Sequence, residues 1–181
     1  MPPLRLRVFS NTDSPMSLAE AKEHQTHWDK LCRDPSLNDL PYKVETNKRG
    51  QLILTPTSTQ RSRHMSAIMR ALSEHAPEDS SLPSFAIATP LGVKVLDVVW
   101  MSEQRWEEMQ QAGDPSTLAP EICVELMSDS NTWAEMEEKR SLYLEAGAEE
   151  VWVVTEGGNV RFFADEELEE SELVSGFPGE L

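Results

Sequence analysis

Apolar positions recur along the chain at two periods. Met65, Ile68, Met69, Leu72 and Ala76 follow the i, i+3, i+4, i+7 spacing that lays one stripe along an amphipathic helix. This predicts a helix over residues 60–76. A second is predicted over residues 18–31, where Ser17-Leu-Ala-Glu20 has the form of a capping box and Leu18, Ala21 and Trp28 follow on one face. Asp34-Pro35-Ser36 stops that helix.

Elsewhere the pattern is that of strands. Tyr42-Lys-Val-Glu45, the turn signal Asn47-Lys-Arg-Gly50 and Gln51-Leu-Ile-Leu-Thr55 read as a hairpin. Ser84 to Thr89, the turn Pro90-Leu-Gly92 and Val93 to Trp100 read as another, followed by a short acidic helix over residues 103–111. Ile122-Cys-Val-Glu-Leu-Met127 is nearly all apolar, the mark of a strand buried on both faces. Thr132 and Glu135 form a second capping box, with Gly147 as the C-terminal cap of its helix. Val151 to Thr155 and Val160 to Phe163 make the last hairpin. Helices and hairpins thus mix in an α/β (mixed α+β) fold, a sheet with helices on its faces.

The chain has 181 residues and a net charge of -16. At roughly 100 to 200 residues per domain, the expectation is one domain over residues 1–164. Residues 1–41 are its helical N-terminal extension, 42–164 its core, and 165–181, rich in Asp and Glu, a solvated tail. The charge is uneven: residues 1–100 carry 12 basic and 11 acidic side chains, residues 101–181 carry 4 and 21. Broad electrostatic attraction to nucleic acid is thereby excluded, because that term needs clustered Lys and Arg. A nucleic-acid role has to use the first half, or a metal ion. Two cysteines, Cys32 and Cys123, make no disulfide framework, no apolar run approaches the roughly 20 residues of a membrane span, and arginines interrupt Met1 to Ser10. The expected location is cytoplasmic.

Three charges stand where charge is costly. Asp97 lies within Val93 to Trp100 and Glu125 within Ile122 to Met127; an ionised carboxylate in such a strand costs several kcal/mol unless it is paired or holds a metal. At about 100° per residue, Lys139 falls in the middle of the apolar face marked by Met136, Leu142, Tyr143 and Ala146. It should point at the sheet, with Glu125 as partner. Two arrangements account for this. Asp97 and Glu125 bind a divalent cation while Lys139 stabilises an attacking hydroxide or a phosphate, or Lys139 and Glu125 form a buried ion pair beside a locally bonded Asp97.

The blocks Lys43-Val-Glu45-Thr-Asn-Lys-Arg-Gly50-Gln-Leu-Ile-Leu-Thr-Pro56-Thr and Gly92-Val-Lys-Val-Leu-Asp97-Val-Val-Trp resemble the Uma2 family of restriction-endonuclease-like proteins. So do Ala119-Pro-Glu-Ile-Cys-Val-Glu125-Leu-Met-Ser128 and the later Glu138-Lys139, Tyr143, Gly147 and Val151-Trp-Val-Val, a span of about residues 42–163. The resemblance implies the PD-(D/E)XK nuclease fold, a central mixed sheet flanked by helices, with DNA as substrate and Mg2+ (or Mn2+) as cofactor. It implies metal ligands at Asp97, Glu125 and Leu126, with Glu45 completing the acidic site. The lysine of the superfamily pattern would stand at Met127 and is missing; some members carry it on the next helix, where Lys139 stands. Two family Pro-Asp pairs read Leu96-Asp97 and Pro120-Glu121 here, and Glu121 is expected to be structural or peripheral.

The remaining candidates are weaker. His64 could reach the site as an accessory residue, though a half-exposed helical His is more often structural. Lys43, Lys48 and Arg49, with Arg61 and Arg63, form the basic cluster available to a nucleic-acid backbone; for Arg61 and Arg63 solvated surface is the plainer expectation. His24, His27 and His75 have no metal-ligand spacing with a cysteine, and the five tryptophans read as core or interface. The expected function is a metal-dependent endonuclease, a homodimer, with Asp97, Glu125, Lys139 and Glu45 at its centre. The alternatives are a catalytically inactive interaction protein of the same fold and an acidic mimic of DNA.

Overall fold

The computed structural model describes residues 16–77 and 80–181; the expectation for Met1 to Ser10 lies outside the described residues. Helix α1 (Leu18–Cys32) starts at its capping box, where Glu20 N–H donates to Ser17 Oγ and Ser17 N–H to Glu20 Oε2. Strands β1 (Tyr42–Thr46) and β2 (Leu52–Pro56) form a separate two-stranded antiparallel sheet. Its turn is closed by Asn47 Oδ1, which accepts from the N–H groups of Arg49 and Gln51. Helix α2 (Thr59–His75) follows, then β3 (Ser81–Thr89), β4 (Gly92–Trp100), α3 (Glu103–Gln111), β5 (Ile122–Leu126), α4 (Trp133–Glu145), β6 (Glu150–Val154), β7 (Val160–Phe163) and β8 (Glu167–Leu168).

The main sheet runs β3-β4-β5-β6-β7-β8, antiparallel throughout except for the parallel pair β5–β6. Helix α4 is the crossover between those two strands, the connection a parallel pair requires. It is a mixed sheet with helices on its faces, as the pattern predicted. Alternation along β5 divides the core. Ile122, Val124 and Leu126 join Ile68 and Leu72 of α2, while Cys123 joins Leu142 and Tyr143 of α4.

The hairpin β1–β2 approaches the main sheet at one tight point. A Cβ on Gly92 would lie 2.5 Å from the Asn47 carbonyl oxygen and 2.6 Å from that of Thr46, so glycine alone permits the turn between β3 and β4 to lie against β1. Val93 N–H donates to Thr46 Oγ1 at 2.8 Å across the same contact. This fixes β1 beside β4, with Lys43 and Glu45 on one face of the strand at a spacing of two.

Residues 165–181 are not a solvated tail. Val174 and Phe177 are buried, and the Phe177 ring lies 4.4 Å from Trp152 and 6.1 Å from Phe162 between centroids. Buried Glu150 caps the segment, its Oε1 accepting from the N–H groups of Glu172 and Leu173 at 2.8 and 2.9 Å. Glu166, Glu169 and Glu170 stay exposed, so the charge seen in the sequence is real while two apolar side chains among it anchor the chain. Among the described residues no helix is long and apolar enough to cross a membrane, and Cys32 and Cys123 are free thiols.

Candidate active site

The antiparallel register of β4 and β5 pairs Val98 with Val124. Carried on by one step, it sets Asp97 opposite Glu125. The ladder stops there: Leu96 and Val99 pack into one core cluster while Val98 packs into the other, so the alternation breaks at Asp97. Opposite it in β3, Ser84 has φ 51°. In place of a ladder bond, Leu126 N–H donates to Asp97 Oδ2 at 2.8 Å. The break leaves the other oxygen of Asp97 pointing to the same place as the carboxylate of Glu125.

Lys43 fills that place. Its Nζ lies 3.2 Å from Asp97 Oδ1, 3.3 Å from Glu125 Oε2 and 3.8 Å from Glu45 Oε1, and its side chain is only 8 % exposed. Lys139 reaches Glu125 Oε2 from α4 at 3.0 Å and Glu45 Oε1 at 4.0 Å, with its side chain 21 % exposed. One turn on, Tyr143 Oη donates to Glu125 Oε1 at 2.5 Å. Arg61, from the first turn of α2, pairs with Asp97 Oδ1 and donates to the Leu126 carbonyl oxygen at 3.4 Å. Val95 N–H holds Glu45 Oε1 at 2.9 Å.

Three carboxylates therefore face three cations in a largely buried pocket. Burial alone would raise the pKa of Glu125, but Lys139, Lys43 and the Tyr143 hydroxyl outweigh it and bring it down to about 2. For Lys43 the order is the same with opposite sign: burial favours the neutral amine, and the charges of Glu125, Asp97 and Glu45 overcome it, so the ammonium is held more tightly than in water. Burial, seconded by Glu125, pushes the Tyr143 hydroxyl well up, which keeps it a proton donor.

All four residues expected at the site, Asp97, Glu125, Lys139 and Glu45, come together. Leu126 has no donor in its side chain, and its backbone carbonyl lies at the edge of the cluster, bonded to Arg61. Sequence reasoning missed Lys43, Arg61 and Tyr143. The sequence context of Lys43 and Arg61 suggests a basic surface, yet both are committed to the acids, and the Arg61 side chain is 10 % exposed. His64 is buried and bonded to Gln60 at 2.9 Å, with its Nε2 beside the turn at Gly158. Glu121 is structural: its carboxylate accepts from Ser102 N–H and Oγ at the start of α3. Lys48 and Arg49 remain exposed, and with Lys22, His24, His27 and Lys30 of α1 they line an open groove of about 640 Å³.

Oxygen ligands from adjacent strands converging on one cationic point are the donor chemistry of a hard divalent ion. Asp97, Glu125 and the Leu126 carbonyl fit such an ion in kind, although the point of convergence is held by the Lys43 ammonium. Among the described residues no group of three or more His, Cys, Asp or Glu forms a ready metal cage.

Comparison with known proteins agrees with this architecture. Residues 29–179 match the family Uma2, described as "Putative restriction endonuclease". The fold is similar to a crystal structure from Anabaena variabilis described as "a putative nuclease belonging to DUF820", with a TM-score of 0.60 and 14% identity over 83% of this chain and 88% of that one. A search of curated proteins gives no match.

Proposed function

This chain belongs to the Uma2 family, and from that premise we propose that it is a divalent-metal-dependent endonuclease that hydrolyses DNA phosphodiester bonds at the cluster of Asp97, Glu125 and Lys139. The observation that carries the reading is that Asp97 Oδ1 and Glu125 Oε2 lie within 3.2 and 3.3 Å of a single cationic atom while Lys139 bonds the same Glu125 oxygen. Asp97, Glu125 and the Leu126 carbonyl are the residues that would hold Mg2+ or Mn2+. Such an ion, when bound, polarises the phosphodiester and makes water a better nucleophile.

The chain's own residues do the rest. Tyr143 fixes the Glu125 carboxylate from behind, so its other oxygen keeps a constant direction. Leu126 N–H does the same for Asp97. Lys139, the more exposed of the two lysines, can turn its ammonium toward an attacking water or a non-bridging phosphate oxygen and offset the charge that develops there. The Arg61 guanidinium, permanently charged and planar, suits a phosphate oxygen as well as Asp97. Glu45, held by Val95, adds a third negative charge that, after Glu125 and Asp97, helps hold Lys43 as its ammonium.

DNA as partner is supported by the groove of Lys22, Lys30, Lys48 and Arg49, which lies at the turn of the same hairpin that sends Lys43 and Glu45 into the site. At about 3.3 Å per residue that turn is roughly 10 to 15 Å from the acids, within the span of a few nucleotides. The apolar strip Leu52, Ile53 and Leu54 on exposed β2 is consistent with a homodimer.

One observation favours the second reading, an inactive interaction protein: the three acids are already matched by three cations. Thermal unfolding with and without Mg2+ or Mn2+ separates the two. The nuclease reading expects the ion to raise the melting temperature of the wild type, because a ligand of the folded state stabilises it, and not that of Asp97→Asn. Equal behaviour of both proteins contradicts it.

A further inference from the structure

We infer that Lys43 is a resident cation of the acidic centre that must withdraw before a divalent ion can bind, so that metal loading exchanges one cation for another. The inference rests on the reading of Asp97 and Glu125 as metal ligands and adds a competitor built into the chain.

Lys43 differs from the other two cations in its position. Arg61 touches Asp97 and not Glu125; Lys139 touches Glu125 and not Asp97. Lys43 alone bridges the pair, and it does so through Asp97 Oδ1 and Glu125 Oε2, the two oxygens aimed at the site. A Mg2+ ion sits about 2.0 to 2.1 Å from its oxygens, so ion and ammonium cannot share that point. The charge balance says the same. Among the ion-paired groups, three acids against three cations, an added divalent ion leaves a surplus of two positive charges and withdrawal of Lys43 reduces it to one; Lys94, within electrostatic reach of Glu45 and Glu125, adds a further positive charge.

The surroundings allow the withdrawal. Lys43 is the second residue of β1, in a hairpin that pairs only with itself and rests on β4 through Glu45 and Thr46. The side chain is a flexible four-carbon stem whose charge makes point contacts with no planar geometry to break. Until an ion arrives, the ammonium keeps two buried carboxylates from repelling each other. The centre is thereby complete without metal, and the affinity for metal is lower than the ligands alone would give.

The test is Mn2+ titration calorimetry on the full chain, comparing wild type, Lys43→Met, Lys43→Gln and Glu125→Gln. The neutral replacements of Lys43 are expected to bind Mn2+ at least about tenfold more tightly, as removal of an adjacent like charge requires, and Glu125→Gln not at all. Equal affinity in wild type and Lys43 variants, still lost in Glu125→Gln, overturns the role of Lys43 and leaves the metal ligands standing. Absence of binding in every protein overturns the ligand reading and this inference with it. Should the Lys43 variants not fold, the wild-type Lys43 ammonium resonance decides during Mg2+ titration: it is expected to shift as the ion binds, and an unchanged signal at saturation overturns the exchange.

Discussion

Lys139 Nζ donates to Glu125 Oε2 across 3.0 Å, from the middle of α4 to the middle of β5, 14 residues earlier. The contact joins helix to strand by two charges, beside the apolar packing of Leu142 and the Tyr143 ring with Cys123. Glu125 also receives Lys43 and Tyr143, three partners in all, as many as Asp97 has in Lys43, Arg61 and the Leu126 N–H.

Glu125→Gln should cost about 3 to 5 kcal/mol of stability, because it strands buried positive charge. Urea unfolding measures it. A loss below about 1 kcal/mol would mean that the two lysines find water and that the pocket is wetter than its geometry.

Lys139→Met should separate activity from stability. Glu125 keeps Lys43 and Tyr143, and the Lys139 side chain is already partly in solvent, so folding should change little. DNA cleavage should fall by about 100-fold or more, the scale of a lost electrostatic stabiliser. Unchanged cleavage would remove Lys139 from the chemistry.

Acid should weaken the fold through Glu125. Its folded pKa, about 2, lies below the ordinary 4.5, so the unfolded chain takes up the proton first and protonation favours unfolding. The contribution is complete above about pH 4.5 and fades as pH falls toward 2. Lys43 shifts upward; its contribution is complete on the acid side and is lost only as pH rises through its raised value. Chemical denaturation from pH 6 to pH 2 should show the fall in wild type and a shallower one in Glu125→Gln. Parallel curves would contradict the assignment.

Much of this centre is legible in the sequence, for a definite reason. Asp97 and Glu125 stand out because an acid inside an apolar strand needs a partner, and Lys139 because it interrupts a helical stripe. Lys43 hides because its neighbours Tyr42, Lys48 and Arg49 give it the look of a solvated hairpin. The signal was its spacing: two residues from Glu45, it shares that residue's face. Arg61 stands four residues before Met65, at the upstream end of the stripe of α2, where an apolar residue would have been read as core. Tyr143 reads as plain core because periodicity does not reveal a hydroxyl's partner. Val174 and Phe177 were lost among acids, since net charge over a segment says nothing about two anchoring side chains.

Phe177→Ala tests that anchoring. Removing a buried ring packed against Trp152 and Phe162 should cost about 3 to 5 kcal/mol, read by thermal or urea unfolding. A change within about 0.5 kcal/mol would return residues 165–181 to the status of a detached tail.

The groove of α1 and the β1–β2 turn should govern DNA affinity without touching the chemistry. Reversing Lys48 and Arg49 to Glu is expected to weaken binding by fluorescence anisotropy and to flatten its salt dependence by about one unit per lost phosphate contact. An unchanged slope would place the DNA elsewhere.

The central claim is hydrolysis at the Asp97–Glu125–Lys139 cluster, and plasmid cleavage tests it most directly. Purified wild type with Mn2+ should convert supercoiled DNA to nicked and linear forms, EDTA should stop the reaction, and Asp97→Asn should be inactive while remaining folded. Cleavage that survives Asp97→Asn, or a folded, metal-loaded wild type that cuts neither single- nor double-stranded DNA, would contradict the account.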